Sequence, residues 1–384
     1  MVTDKRSARC SAAMFLLVVC AAAGAARADV MNGNFEEAPN RSQMNGSAVT
    51  GPNALPYWTA TGYVEYIESG QKQGDMMLAV PEGRYAVRLG NDAAIQQQLG
   101  VARGAYYSFT FSASRTCGQD EKLDLTVIPG SQNGEIPIQT VYTSCGWDAY
   151  CWAFKANSDV VTLTIRNPGQ YDDPSCGPIV DAITMKTLNE RYDTQYNMLK
   201  NGDFEEGPYI PPNSQSGVLV PPKRQDRVSP LPGWKIMSDT KGVRYIGRDH
   251  FAVPQGEHAV ELVSGPEAAL VQDVDTVANA WYKLSFTVGD AGDGCAAPSG
   301  SSSPMQVRAN AGRHGTTVDI ESWGSGGSKR AELVFQAADS VTPVVFVSMG
   351  THTKSDNSGT LCGPVLDDVS LVATSQPPAR RLLL

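Results

Sequence analysis

Short runs along this chain alternate apolar and polar positions with a period of two: Tyr107, Phe109 and Phe111; Leu123, Leu125 and Val127; Val161, Leu163 and Ile165; Leu284, Phe286 and Val288. That is the period of a half-buried strand, with one face turned to a core and the other to water. Gly and Pro punctuate the intervals, and no run of helical spacing exceeds two turns. Many short strands between turn signals predict an all-β chain of antiparallel β-sandwiches.

The pattern occurs twice. Asn32-Gly33-Asn34-Phe35-Glu36-Glu37 is answered by Asn201-Gly202-Asp203-Phe204-Glu205-Glu206, and Leu55-Pro56-Tyr57-Trp58 by Leu231-Pro232-Gly233-Trp234. Val80-Pro81-Glu82-Gly83-Arg84-Tyr85 matches Val253-Pro254-Gln255-Gly256-Glu257-His258, and Tyr107-Ser108-Phe109-Thr110-Phe111 matches Tyr282-Lys283-Leu284-Ser285-Phe286. Each half closes on Cys-Gly-Pro and an acidic strand, Cys176 to Ile183 and Cys362 to Val369. The chain is a tandem duplication with a first unit over 29–188, a linker over 189–196, a second unit over 197–373 and a tail over 374–384. Both units have the usual size of a domain. Because the opening and closing motifs both recur, they are expected to meet as neighbouring strands, which favours jelly-roll connection.

Lys5, Arg6 and Arg9 precede an apolar run from Met14 to Ala23, followed by Ala26-Arg27-Ala28. This reads as a secretory signal over 1–28, too short to span a bilayer, so an exported product without a membrane span is expected. Without those residues, 31 basic and 40 acidic side chains become 27 and 39, and the formal charge moves from −9 to −12. Such a charge argues against nucleic acid as a partner.

Cys10 and Cys20 leave with the signal, and six cysteines enter an oxidising compartment. The repeat narrows their pairing: Cys117 and Cys176 correspond to Cys295 and Cys362, so each pair is expected to join within its unit. Cys145 and Cys151 have no counterparts and are left to pair with each other.

The order of these motifs resembles the secreted plant cell-wall proteins known as domain of unknown function 642, over essentially the whole mature chain. The resemblance implies two galactose-binding-like sandwiches, a cell-wall location, association with polysaccharide (cellulose, hemicellulose or pectin), and contact with pectin methylesterases.

The repeated carboxylates are one functional candidate. Glu36 with Asp181, and Glu205 with Asp367, stand at the start and end of each unit and would converge if the terminal motifs meet. Hard oxygen ligands suit calcium, and the resemblance to carbohydrate-binding sandwiches with a similar opening motif supports a structural calcium there. The alternative is that the glutamates cap a turn and the aspartates bond neighbouring backbone amides. A glycosidase-like carboxylate pair is a further alternative, which duplication in both units disfavours.

Aromatic side chains are the second candidate, because sugar rings stack on indole. Trp58 and Trp234 recur and suit a core. Trp147, between Cys145 and Cys151, is the better surface platform, with Tyr171 beside it. The proline-rich stretch over 208–230 carries Lys223, Arg224 and Arg227, a weak match to an acidic pectin. Asn40-Arg41-Ser42 and Asn45-Gly46-Ser47 are glycosylation sequons.

Catalytic signatures do not emerge. The four histidines, His250, His258, His314 and His352, show no metal spacing, and there is neither a Gly-x-Ser-x-Gly elbow nor a phosphate loop. The expected function is a secreted, non-catalytic wall protein that binds polysaccharide and docks pectin methylesterase. The alternatives are a glycan hydrolase using a carboxylate pair and an adaptor that binds only protein.

Overall fold

The computed structural model describes residues 29–73, 76–118, 120–139, 146–169, 176–189, 197–212, 214, 216–222, 228–296, 304–322 and 326–375. The alternating runs are strands. The first unit contains β1 (Thr59–Thr61), β2 (Val64–Glu68), β3 (Tyr85–Leu89), β4 (Ala94–Gly100), β5 (Tyr106–Ser114), β6 (Glu121–Ile128), β7 (Gln132–Ile138), β8 (Trp147–Lys155), β9 (Val160–Arg166) and β10 (Ile179–Leu188). The second contains β11 (Val218–Val220), β12 (Lys235–Met237), β13 (Val243–Gly247), β14 (His258–Glu261), β15 (Ala269–Asp275), β16 (Trp281–Asp290), β17 (Met305–Ala311), β18 (His314–Ile320), β19 (Gly327–Gln336), β20 (Val341–Ser348) and β21 (Pro364–Thr374). Among the described residues the only helical pieces are short 3-10 turns.

Each unit is a jelly-roll sandwich. One sheet runs β2-β3-β10-β5-β8 and the outer sheet runs β7-β6-β9-β4-β1 in the first unit; the second repeats this order as β13-β14-β21-β16-β19 and β18-β17-β20-β15-β12. The inner sheets are fused. β8 pairs with β11 in parallel, with Tyr150 opposite Leu219, and β11 continues into β13, giving one sheet of 13 strands that includes the small hairpin Met44–Asn45 and Ala48–Val49. Alternation then puts the two cores on opposite faces of this sheet. Tyr150, Trp152, Phe154 and Leu219 face the first core, while Ala149, Cys151, Val218 and Val220 face the second.

The repeated words build the seam of each sandwich. Asn32 and Phe35, like Asn201 and Phe204, hold the left-handed backbone conformation, which costs a side-chain-bearing residue about 1–2 kcal/mol. Local bonds offset it. The Asn32 amide accepts from the Glu37 N–H (3.0 Å) and donates to the Glu37 carbonyl (3.3 Å), and Asn201 does the same with Glu206 (3.1 and 2.7 Å). Buried Trp58 and Trp234 donate their indole N–H groups to the carbonyls of Asn32 (3.0 Å) and Asn201 (2.9 Å). The opening motif does meet the closing one, but as a turn laid on a strand: Ile183 donates to the Gly33 carbonyl (2.9 Å) and Val369 to that of Gly202 (2.8 Å). A Cβ on either glycine would run into the facing carbonyl.

Candidate functional site

The four repeated carboxylates converge on the Val-Pro-x-Gly loops. Glu36 Oε1 accepts the N–H groups of Arg84 (2.7 Å) and Tyr85 (2.9 Å), while Asp181 accepts from Glu82 (2.8 Å) and from Ala182 (2.7 Å). Glu205 Oε1 accepts from Glu257 (2.7 Å) and His258 (3.3 Å), and Asp367 from Gln255 (2.8 Å) and Asp368 (2.7 Å). Ala182 and Asp368 are left-handed, and each sits at an irregularity where its closing strand shifts register. Each aspartate thus fixes both a bulge and a loop.

The groups shown converging on Glu36 Oε1, Glu205 Oε1 and the two aspartates are amide donors, the positive ends of dipoles, whereas a calcium ion would add oxygen ligands. The amide-binding alternative describes the arrangement. Burial, then Glu82 and Glu36 nearby, pushes the Asp181 carboxyl up to about 8 against the pull of its two N–H donors. Burial pushes Asp367 up to about 7 in the same way. The second loop differs by one titratable ring. His258 Nδ1 lies 3.2 Å from Glu205 Oε2 and stacks on Tyr245, where the first unit stacks Tyr85 on Tyr66.

Cys117 joins Cys176, and Cys295 joins Cys362. Asp293 lies beside the second pair, but sulfurs joined to each other are not thiolate ligands. The Cys145–Cys151 pairing lies outside the described residues through Cys145, as do Tyr171, Lys223, Arg224 and Arg227. Trp147 opens β8 opposite Ser114 and is half-buried. Asn40 and Asn45 are exposed, Asn40 capping a short turn through its bond to the Ser42 N–H (3.1 Å).

A groove of about 800 Å³ lies where the two units join, within the usual size range of ligand sites. One wall is the edge strand β7, with Gln132, Asn133 and Glu135, backed by Asp124 and Thr126 of β6. Trp152 of β8 lies between the walls, with its indole nitrogen against Gly134, where a Cβ would clash. The second unit supplies Pro221, Pro222, Val228, Pro230, Asp239 and Thr240. Asp124 lies opposite Glu135 across the two strands. Burial and then Glu135 raise the Asp124 carboxyl, against the nearby Lys122 and Arg166. Lys122 pairs with Glu135 at 2.8 Å, and Arg166 reaches Asp124 at 3.7 Å. No cation is among the described lining residues. The sequence offered no signal for this groove, because neither unit contains it alone.

A second buried charge cluster lies at the fusion. Arg244 of β13 pairs with Glu261 of β14 at 3.0 Å, both buried, and its charge also counters the rise that burial imposes on Asp148 of β8. Burial pushes both acids up to about 7.

A sequence profile described as "Protein of unknown function (DUF642)" matches residues 28–186 and 197–372. The chain belongs to the DUF642 family. Among curated DUF642 relatives, the Arabidopsis thaliana protein DUF642 L-galactono-1,4-lactone-responsive gene 2 is 50% identical over 370 residues, 94% of this chain and 98% of that protein. Protein TEEBE, also from Arabidopsis thaliana, is 46% identical over 338 residues, 88% and 89% of the two chains. Among solved structures, the tandem CBM22-1-CBM22-2 domains of Paenibacillus barcinonensis Xyn10C cover 92% of this DUF642 chain and 99% of theirs at 12% identity and a TM-score of 0.29. The Arabidopsis thaliana ANX2 ectodomain covers 82% and 89% at 9% identity and a TM-score of 0.29. At such scores neither likeness bears on ligand.

Proposed function

We propose that this protein is secreted to the plant cell wall and binds polysaccharide there without catalysing its cleavage, holding the chain in the groove between its two units. The observation that carries this reading is the groove's chemistry. The partly exposed Pro137, Pro221 and Pro222 offer apolar surface to the C–H faces of sugars, while Asp124, Glu135, Gln132, Asn133 and Thr240 present acceptors and donors to hydroxyls. The fused sheet orders both walls before binding, so little entropy is lost when a ligand enters. Docking of pectin methylesterase is the finer part of the proposal, and its support is the family resemblance.

The test is retention of the secreted protein on cellulose, xyloglucan and pectins of graded esterification. Asn133→Trp, which fills the groove from its exposed wall, should weaken retention while the thermal transition is unchanged. Retention equal to that of wild type after this substitution would remove the groove from the reading. A hydrolytic alternative is favoured by one observation, the facing Asp124 and Glu135 with Asp124 shifted toward its acid form, as a general acid requires. Release of reducing ends that disappears in Asp124→Asn would establish it. Their pairing with Arg166 and Lys122 favours binding instead.

A further inference from the structure

The turn before the first core tryptophan carries a side chain that its twin lacks. Leu55-Pro56-Tyr57-Trp58 and Leu231-Pro232-Gly233-Trp234 form the same turn, closed by Trp58 N–H to the Leu55 carbonyl (3.1 Å) and Trp234 N–H to the Leu231 carbonyl (3.0 Å). Proline in second place and a left-handed third residue make it type II, which favours glycine at that third place. Gly233 has φ 86°; Tyr57 adopts φ 69°, a strained conformation for an aromatic residue. Its ring is not sunk in the core to compensate, being 55% exposed. Strain held at an exposed residue, where the same fold accepts glycine elsewhere, points to a use for the side chain.

The surroundings of the ring say what kind of use. Tyr57 borders a cavity of about 420 Å³ with Met31, Thr59, Gln96, Gln98 and Thr162. These polar residues lie together on the outer face of the first unit's outer sheet, Thr59 opposite Gln96 and Gln98 opposite Thr162. Beneath them Gln97 is buried and holds the Met31 backbone from both sides, accepting its N–H (2.9 Å) and donating to its carbonyl (2.8 Å). The corresponding face of the second unit has Lys235 opposite Val271 and Asp273 opposite Pro343, with Lys235 and Asp273 paired at 3.3 Å. The sandwich therefore folds without an aromatic ring or a row of amides and hydroxyls there.

We propose that Tyr57 and the Gln96, Gln98 and Thr162 face form a second glycan-binding site, confined to the first unit and selective for neutral sugars. The tyrosine ring takes the C–H face of a pyranose, and the amides and hydroxyl exchange hydrogen bonds with its hydroxyls. The lining carries no formal charge, so it offers nothing to neutralise a uronate. This site rests on the polysaccharide-binding reading.

The experiment titrates the full secreted chain with neutral hexasaccharides of β-1,4-glucan, xylan, mannan and galactan and with hexagalacturonide, in wild type, Tyr57→Gly and Tyr57→Trp. Tyr57→Gly restores the residue its twin carries, so its melting temperature should equal or exceed that of wild type. Its affinity for one neutral hexasaccharide should fall at least tenfold, while Tyr57→Trp keeps or improves it. Unchanged affinity in Tyr57→Gly would overturn the site and leave polysaccharide binding standing. Preference for hexagalacturonide would overturn the selectivity. No binding of any probe by wild type would overturn the site together with the reading beneath it.

Discussion

Raising the pH from 5 to 7 should destabilise this protein, and the buried aspartates of the two closing motifs supply a definite share of the loss. Asp181 titrates near 8 and Asp367 near 7 in the folded chain, because burial disfavours their charged forms. An aspartate in the unfolded chain loses its proton near 3.8. Between these values the folded state keeps protons that the unfolded state has released, so stability falls as pH rises through the window. The slope is about 1.36 kcal/mol per pH unit for each such group. Across two units Asp181 alone accounts for about 2.7 kcal/mol, and Asp367 for somewhat less as pH 7 approaches its own midpoint. For units of this size 1 kcal/mol moves Tm by about 2–4 °C, so each of these two aspartates should lower the melting temperature by roughly 5–10 °C between pH 5 and pH 7, and the buried Glu121, Asp148 and Glu261, also raised to about 7, add to the fall. Circular dichroism melts from pH 5 to 8 measure this directly. Asp181→Asn should cost about 1–3 kcal/mol at pH 5 by leaving one backbone N–H without its acceptor, and it should flatten the pH slope. A Tm that rises from pH 5 to 7, or an equal slope in wild type and Asp181→Asn, would refute the reasoning.

The other predictions also use thermal melts. Chelation with EDTA should leave Tm within about 2 °C, since amides occupy the Glu36–Asp181 and Glu205–Asp367 pairs; a larger fall reversed by calcium would show that a cation holds the loops. Gly33→Ala should destabilise by about 2–3 kcal/mol, because the added Cβ meets the Ile183 carbonyl. Gly100→Ala, with open space around it, is the control and should be nearly neutral. Arg244→Met strands Glu261 and Asp148 without their buried counter-charge and should cost about 3–5 kcal/mol; a loss under about 1 kcal/mol would show that the cluster does not hold the two units together.

The duplication made much of the fold readable. Period-two runs such as Tyr107 to Phe111 are core strands, and matched positions paired Cys117 with Cys176 and Cys295 with Cys362. Recurrence also marked Trp58 and Trp234 as interior. It could not say what the recurring acids bind, because the partners of Glu36 and Asp181 are backbone amides, and every residue type supplies the same amide. The groove left no trace in the sequence, since Trp152 and Pro222 are brought together by a parallel pairing between units that no local periodicity records. Tyr57 was visible as a mismatch with Gly233, but only its backbone angle and exposed ring give that mismatch a meaning.

Splicing the last edge of one repeat to the first strand of the next is open-ended architecture: by itself it would permit a third unit, a fourth, or a fibre of separate molecules. The two edges of this sheet are finished differently from its middle. Where β8 turns Ala149, Cys151 and Ala153 toward its neighbour, the same positions on the outermost strand β19 are Arg330, Glu332 and Val334, and charges on an edge discourage a further strand. At the opposite end the hairpin Met44–Asn45 and Ala48–Val49 folds over the site that β11 fills in the middle, and it carries Asn45 with Asn40 close by. Finite sheet length is then a property of a few edge residues, and exchanging Arg330 and Glu332 for alanine is where a filament would begin.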